Sequence, residues 1–435
     1  MTNINALPEE LLAQIFRALR EKGLPSLYPC LLTCKRWHSS AMPIFYRDTV
    51  LTNRNLEPFL RASLLENEKD EPAPHLSAIR TLTVTLDYPL EGPGTGWFKY
   101  AAIPCNAPKA RVFNRHITLL VCAVACMTGL TCFSFVATHD GEANATNFKV
   151  SRWKLAKMVR HLPGSCEALE IVVCGMEEMG CGYRKGDEGG LCEELGRVLP
   201  RLKHLRLQVG HLCFDAFGTG AVSNGEGGKG EASSVMVPQN FEPHHAPSLE
   251  TLVIDCHSHN FNHNDIEPTR VCTRYACFPR GSNPRPPYEH WPVKHSITQL
   301  LKTLVANNTY PSLRRLWLVD WNSADESRNS VIHRRDILAD KTWVFPREHV
   351  RYGKYRVETP ERLSAICGHE MTRELAAGRT WVVSTTGARV PAAWVGKRYV
   401  EKTLEELLER EQSGARWEIT SHNIRPPFEM DGVVD

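Results

Sequence analysis

The sequence lacks a strong charge of either sign, regularly spaced cysteines and a basic, apolar stretch at its start. Its 52 Lys and Arg residues against 49 Asp and Glu leave a formal net charge of +3, which is too small and too dispersed for a general nucleic-acid binder. The 15 cysteines are an odd number without regular spacing and predict reduced, mostly buried thiols rather than a disulfide framework. Because residues 1–10 contain no Lys or Arg, we expect a protein of the cytoplasm or nucleus.

Motifs of several common enzyme classes are also missing. No Gly-x-Ser-x-Gly nucleophile elbow occurs, and Lys229 in a glycine-rich stretch is followed by Gly230 instead of the Ser or Thr of a phosphate-binding loop. The paired Cys/His ladder of a RING domain is absent as well. With 42 % hydrophobic and 23 % charged residues, the composition is that of a globular protein. We therefore expect a folded chain that supplies no catalytic residue and needs no cofactor or metal.

One group of metal-ligating residue types leaves an alternative open: a metal- or thiol-dependent enzyme that uses an insertion at residues 257–277. Zinc sites need four ligands that converge tetrahedrally, and a His-x-His pair with two cysteines meets that need. Single cysteines such as Cys34 and Cys256 are candidate nucleophiles for the thiol version. The candidate ligands in the insertion are His257, His259, His263, Asp265, Cys272 and Cys277.

Residues 117–138 contain no charged side chain, and a stretch of about 22 residues is long enough to cross a bilayer. The stretch contains polar residues, however, and it divides naturally at Thr128 and Gly129. Uninterrupted apolar runs of strand length are normal in buried parallel sheets. We therefore predict a buried helix at 117–127 and a buried strand at 130–136, with no membrane partner.

The first fifty residues predict a small helical module. Pro8 fits the first helical position, Gly23 and Pro25 end that helix, and Ser26 can cap a second helix with Pro29 in its first turn. Each helix carries apolar residues at i, i+3, i+4 and i+7, which make one apolar stripe per helix. These stripes are Leu12, Ile15, Phe16 and Leu19, and Leu27, Cys30, Leu31 and Cys34.

Apolar residues outside the two stripes suggest a second apolar face. Leu7, Leu11, Leu24 and Trp37 do not belong to either stripe, and a module this small buries little surface alone. An exposed apolar face usually marks a surface for a partner. The alternative is that the three helices simply dock on the rest of the chain.

The same segment resembles an F-box. Residues 7–19 (LPEELLAQIFRAL) look like its opening, residues 27–37 (LYPCLLTCKRW) like its second half, and residues 41–47 (AMPIFYR) like the tail of fungal members. The sequence departs from the family pattern at Thr33, where valine is usual, and at Gly23–Leu24–Pro25, which replaces an acidic turn.

This resemblance implies a non-catalytic partner-binding role. The helical module would bind a Skp-family adaptor, which is itself bound to a cullin scaffold carrying a RING subunit, and the remaining chain would bind an unknown protein substrate for ubiquitination. The positions that match the family's adaptor-binding interface, or the small core behind it, are Leu7, Pro8, Leu11, Leu12, Ile15, Phe16, Leu27, Cys30, Leu31, Cys34 and Trp37.

The rest of the chain contains a repeated strand pattern. A stricter form, Pro-x-Leu-x-x-Leu-x-aliphatic, begins at Pro200, Pro247 and Pro311, where composition alone predicts roughly 0.06 matches. Helical patterns at 153–161, 191–199 and 297–307 precede several strands. The looser form, apolar-x-x-apolar-x-apolar, fits Ile79/Leu82/Val84, Leu130/Phe133/Phe135, Cys166/Leu169/Ile171, Leu202/Leu205/Leu207, Leu249/Leu252/Ile254 and Leu313/Leu316/Leu318.

These patterns predict an α/β fold with three parts. Residues 1–50 are the three-helix F-box, and residues 51–320 are an irregular leucine-rich-repeat-like solenoid with a parallel sheet, whose strands start about 36 to 64 residues apart. Residues 321–435 are a cap or appended α/β region, with helices at 360–375 and 402–411 and a strand at 380–384. Long insertions at 218–231 and 257–291 are candidate binding loops.

Overall fold

The structure is a computed structural model. It describes residues 7–65, 73–88, 108–139, 150–173, 177–178, 190–209, 212, 214–219, 241–255, 292–322, 331–346, 350–351, 354–355, 380–395 and 428–429. The insertion at 257–291 with its candidate metal ligands, all of the 218–231 insertion except residues 218 and 219, and the predicted helices at 360–375 and 402–411 lie outside these residues.

The α-helices of the described residues are α1 (Glu9–Glu21), α2 (Leu24–Thr33), α3 (Lys35–Tyr46), α4 (Leu56–Leu60), α5 (His75–Ala78), α6 (Pro108–Cys126), α7 (Arg152–Arg160), α8 (Leu191–Val198) and α9 (Pro292–Ala306).

The strands are β1 (Asp48–Thr52), β2 (Thr81–Tyr88), β3 (Cys132–His139), β4 (Val150–Ser151), β5 (Ala168–Val172), β6 (Glu177–Glu178), β7 (His204–Gln208), β8 (Gly218–Thr219), β9 (Glu242–Pro243), β10 (Thr251–Asp255), β11 (Arg315–Asn322), β12 (Val331–Asp336), β13 (Lys341–Pro346), β14 (Val350–Arg351), β15 (Lys354–Tyr355), β16 (Trp381–Val383), β17 (Arg389–Pro391) and β18 (Phe428–Glu429).

The chain divides into two compact units. One contains Met1–Arg184 together with Trp381–Trp394, and the other contains Lys185–Thr380 together with Val395–Asp435. In the first unit, β1, β2, β3 and β5 pair in that order and all in parallel. In the second unit, β7, β10 and β11 are parallel, whereas β12, β13 and β18 continue antiparallel. The three-part division into 1–50, 51–320 and 321–435 stays a prediction.

The six apolar patterns coincide with six strands of the large sheet, β2, β3, β5, β7, β10 and β11. In each, the middle apolar residue is the second residue of its strand, and these residues lie in register: Leu82 pairs with Phe133, Phe133 with Leu169, and Leu252 with both Leu205 and Leu316. The apolar members of the pattern are buried except Leu313, which is half-buried. The prediction of a mixed α/β region with a largely parallel sheet is confirmed.

A turn precedes each of these strands and explains the recurring proline. The backbone N–H of the first apolar residue donates to the carbonyl three residues earlier, and the six donors are Ile79, Leu130, Cys166, Leu202, Leu249 and Leu313. Pro200, Pro247 and Pro311 occupy the second position of three of these turns, where the fixed φ of proline favours type I and II turns. The repeat in the sequence is therefore a turn followed by a strand.

The uncharged stretch at 117–138 divides as predicted. Its first part is the end of α6, and its second part lies in β3. Among the helices of the described residues, none is long and apolar enough to span a membrane. The helices predicted at 153–161, 191–199 and 297–307 appear as α7, α8 and α9, and the strand predicted at 380–384 appears as β16.

The N-terminal helices form a three-helix module with its own core. Phe16 and Trp37 meet edge to face, with ring centroids 5.4 Å apart. The turn between α1 and α2 depends on Gly23, which has φ of 120° and ψ of 153°, a conformation open essentially only to glycine. The fully or almost fully buried residues of this core are Leu12, Phe16, Leu27, Cys30 and Ala41.

Two predicted helix starts need correction. α1 begins at Glu9 with Pro8 as its cap, a shift of one residue that is common at helix ends. α2 begins at Leu24 rather than after Ser26, because Gly23 forms the cap and Pro25 occupies the first turn. Pro29 consequently lies in the second turn, where it cannot donate the usual backbone hydrogen bond.

Candidate protein-binding surface on the N-terminal helices

An apolar surface is exposed on α1 and α2. Leu11 and Ile15 are 44 % and 38 % exposed, and Tyr28 and Leu32 are 54 % and 69 % exposed. Each pair is four residues apart on its helix, so its two members are neighbours on one face. Among the described residues, the other exposed large hydrophobic side chains are Leu338, Val383 and Trp394. We call Leu11, Ile15, Tyr28 and Leu32 the exposed quartet.

Burial separates the eleven predicted interface residues into three groups. Leu12, Phe16, Leu27 and Cys30 are buried in the core of the module. Leu7, Leu31 and Trp37 are partly buried and pack against that core. Pro8, Leu11, Ile15 and Cys34 are exposed. The buried group supports the surface from behind, and the role of the exposed group as a contact surface stays a prediction.

Tyr28 and Leu32 were not among the predicted interface residues. Both lie in the segment that resembles an F-box. The residues predicted on α2 followed the apolar stripe of Leu27, Cys30 and Leu31, which includes neither of them. A signal was present, because Tyr28 and Leu32 form an i,i+4 apolar pair on the side of α2 not used by that stripe. Their exposure shows that α2, like α1, has two apolar faces.

The departures from the family pattern are accommodated locally. The hydroxyl of Thr33 donates to the Pro29 carbonyl at 3.0 Å, so the polar group that replaces a valine has its hydrogen-bond partner. Cys34 does not continue α2 as predicted. It is an extended residue between α2 and α3, with φ of −162° and ψ of 169°.

Polar contacts hold α1 against α3. Ser40 donates through its hydroxyl to Glu9 Oε1 at 3.2 Å, and the Arg36 guanidinium donates to the Leu7 carbonyl. Arg20, which is buried at the end of α1, donates to the Ile44 carbonyl and forms an ion pair with Asp48 at 2.9 Å. Arg20 therefore connects α1 to the end of α3 and the start of β1.

A second contact attaches the module to the chain that follows. His75 stacks on Tyr46 with ring centroids 4.5 Å apart, and its Nε2 lies 2.9 Å from the Ser63 hydroxyl. Burial lowers the pKa of His75 and raises the pKa of Tyr46. The module is thus docked on its own chain through Arg20, Tyr46 and His75, while the exposed quartet remains accessible.

Three of the described cysteines, Cys30, Cys126 and Cys132, do not have the character of nucleophiles. Burial raises the pKa of the Cys30 and Cys126 thiols, and it raises the pKa of Cys132 still further. A nucleophilic cysteine needs the opposite shift, toward the thiolate. Within the described residues, no group of three or more His, Cys, Asp or Glu side chains lies close enough to hold a metal ion. The candidate metal ligands at 257–277 and Cys256 lie outside those residues.

Comparison with protein families identifies one match. Residues 4–52 match the model of the F-box-like family, and this range contains α1, α2, α3 and β1. No curated protein and no solved structure matches the chain. The N-terminal segment is therefore an F-box-like domain, a kind of domain that generally binds Skp-type adaptors in non-catalytic subunits of ubiquitin ligases.

Proposed function

We propose that this chain is the substrate-recruiting subunit of a cullin–RING ubiquitin ligase in the cytoplasm or nucleus. Its F-box-like domain would bind a Skp-family adaptor, through which it joins the cullin and the RING subunit. The remaining α/β region, an irregular leucine-rich-repeat-like solenoid, would hold a protein substrate. The observation that carries the proposal is the exposed quartet, since it lies within the segment that matches the F-box-like family.

The energetics of the quartet support a contact with a partner. Large apolar side chains gain about 1.5–3 kcal/mol when they are fully removed from water, and the quartet offers two exposed pairs of them, one on α1 and one on α2. Exposed apolar surface on soluble proteins commonly marks interaction sites. The core behind the quartet contains Leu12 and Phe16 of α1 with Leu27 and Cys30 of α2, and this packing keeps α1 and α2 in a fixed relation before any partner binds.

The proposed mechanism is proximity rather than chemistry. A subunit that holds a substrate near a ubiquitin-charged carrier converts a bimolecular encounter into a local one. Such a subunit needs two binding surfaces and a rigid connection, but no nucleophile.

The adaptor interaction is tested with the full chain and a purified Skp-family adaptor. We expect the wild-type chain to co-elute with the adaptor in size-exclusion chromatography. Leu11→Asp combined with Leu32→Asp places two charges in the patch and should weaken binding by at least about 100-fold. Both side chains are exposed, so the substitutions should leave the circular dichroism spectrum unchanged.

The matched control is Val383→Asp, because Val383 is a 63 % exposed hydrophobic residue outside the F-box-like domain. This variant should co-elute with the adaptor like the wild type. Unchanged co-elution of the Leu11→Asp, Leu32→Asp variant would refute the assignment of the quartet as the adaptor-binding surface. Loss of co-elution in the control would show that the effect is not specific to α1 and α2.

A further inference from the structure

The parallel sheet of the first unit carries a row of polar side chains on one face. Val50, Thr83, Ser134 and Glu170 are direct neighbours across β1, β2, β3 and β5. Because side chains alternate between faces along a strand, the residues on either side of Thr83, Ser134 and Glu170 point to the opposite face. We call Thr83, Ser134 and Glu170 the polar row.

The polar row is buried although its residue types suit a surface in contact with water. Thr83 is 1 % exposed, and Ser134 and Glu170 are both 0 % exposed. The cover is the hairpin of β16 and β17, which we define as residues 381–394. This segment belongs to the same compact unit as the sheet, and a Cβ built on Gly387 at its turn would lie 3.8 Å from Val50.

Arg389 is the centre of this contact. Its Nε and Nη2 donate to the two carboxylate oxygens of Glu170 at 2.8 and 2.7 Å, and its backbone N–H donates to the Thr83 hydroxyl at 2.8 Å. Ser134 donates to the same carboxylate at 2.5 Å. The polar row therefore accepts hydrogen bonds from both the guanidinium and the main chain of one arginine. The two parallel bonds from the guanidinium to the carboxylate are a geometry that arginine can form and lysine cannot.

This arrangement suits recognition better than permanent cover. A buried ion pair is weak evidence for stability, because apolar residues of similar size often serve as well or better. What the pair provides is selectivity for one side chain and one orientation. The hairpin has apolar anchors as well, since Trp381 and Ala388 are buried, so Arg389 is not needed merely to close the face.

We propose that the polar row is a binding site for an arginine side chain presented on an extended segment of a partner protein, and that hairpin 381–394 occupies this site as an internal ligand which the partner displaces. The inference rests on the proposed function in one respect, because the partner would be the recruited substrate. The bonds themselves require only a guanidinium and one adjacent backbone N–H, which any extended arginine-containing segment presents.

Hydrogen exchange of the full chain tests whether the hairpin can leave as a unit. Arg389→Ala leaves the buried carboxylate of Glu170 without its ion pair, and release of the hairpin returns that carboxylate to water. We expect exchange in residues 381–394 and around Thr83 to rise by at least about tenfold, with α1–α3 unchanged. Arg61→Ala is the matched control, because it removes an exposed ion pair with Glu57 in the same unit and should change neither region.

Peptide binding tests the selectivity of the site. The probe is a labelled synthetic peptide of residues 381–394, compared with the same peptide carrying Arg389→Ala. In the wild-type chain the attached hairpin competes at a high effective concentration, so the probe should bind weakly. The Arg389→Ala chain should bind the arginine peptide at least about tenfold more tightly than the wild-type chain does, and about tenfold more tightly than it binds the alanine peptide. Adding Glu170→Gln to that chain should abolish the difference between peptides.

A second variant covers the case in which Arg389→Ala does not fold. Ala388→Tyr places a large side chain where the native residue is fully buried, so it should expel the hairpin without altering the polar row, and it should bind the arginine peptide in the same way. Equal affinity for both peptides, or equal binding by wild-type and hairpin-released chains, would overturn the proposal, as would faster exchange throughout the first unit. These measurements use no adaptor, so they can fail while the adaptor-binding proposal stands, and the reverse.

Discussion

Two surfaces of the first unit depart from the usual pattern in which apolar side chains are buried and polar side chains are exposed. On α1 and α2, leucine, isoleucine and tyrosine are exposed, whereas on the sheet threonine, serine and glutamate are buried. The first surface is accessible in the structure, and the second is covered by hairpin 381–394 of the same chain. We infer from the comparison that a mismatch between residue type and environment marks a candidate binding surface, whether that surface is exposed or covered by the chain itself.

The sharpest way to test the first half of this comparison is to contrast a core residue with a surface residue of the same module. Phe16→Ala should destabilise α1–α3 by about 3–5 kcal/mol, because it opens a cavity beside Trp37. Leu32→Ala should change stability by less than about 0.5 kcal/mol, because its side chain is 69 % exposed. Native-state hydrogen exchange of residues 9–46 measures both. A large loss from Leu32→Ala would mean that the exposed quartet stabilises the fold of this chain.

The second half of the comparison depends on the ion pair between Glu170 and Arg389. Glu170→Met alone should weaken docking of the hairpin by about 3 kcal/mol, because it leaves a largely buried guanidinium without its carboxylate. Glu170→Met with Arg389→Met should return docking to within about 1 kcal/mol of the wild type, since the pair is replaced by apolar contact. Exchange of residues 381–394 reports the docking energy. Additive losses in the double variant would show that the two residues stabilise the hairpin independently.

The turn between α1 and α2 positions the two halves of the exposed quartet. Gly23→Ala should lower the free energy of unfolding by about 1–3 kcal/mol, because φ of 120° with ψ of 153° is sterically strained for any residue with a Cβ. The thermal unfolding temperature and the amount of chain that co-elutes with the adaptor should both fall. Lys22→Ala is the control, since Lys22 has an ordinary helical conformation. A Gly23→Ala chain with wild-type stability would contradict the role assigned to this turn.

The smallest expected effect is a pH dependence at the contact between the module and the chain that follows. Burial lowers the pKa of His75, so the folded state favours the neutral ring and the unfolded state binds more protons. The contribution of neutral His75 to the free energy of unfolding is fully present above the unfolded pKa of about 6.5, and it is lost as pH falls toward the lower folded pKa. Denaturant unfolding at pH 8 and at pH 5 measures this change in free energy. His75→Gln should reduce the difference in unfolding free energy between pH 8 and pH 5, whereas exposed His161→Gln should leave it unchanged.

Much of the fold could be predicted from local patterns. The six strands that carry the apolar template and helices α7, α8 and α9 followed from residues close together in the sequence, because a turn and its strand form from neighbouring residues. The start of α2 was predicted wrongly, since Ser26 is a good cap by type. Gly23 took that position because its backbone reaches a conformation that the turn requires.

The candidate site could be predicted only in part. The F-box-like segment was recognisable, but its residues could not be fully sorted into core and surface, because Leu12 and Ile15 belong to the same apolar stripe of α1. Their exposed fractions are 0 % and 38 %, a difference that depends on where α2 and α3 pack. Tyr28 and Leu32 were missed for the same reason.

The amino-acid pattern by itself determined that the chain begins with an amphipathic helical module and continues with turn–strand repeats, because these properties arise from periodicity and turn chemistry over a few residues. Only the tertiary structure decided which apolar residues remain exposed and which polar residues become buried. Arg389 and Glu170 are 219 residues apart in sequence, and no local pattern joins them. Their contact exists because a hairpin near the end of the chain packs on strands formed near its beginning.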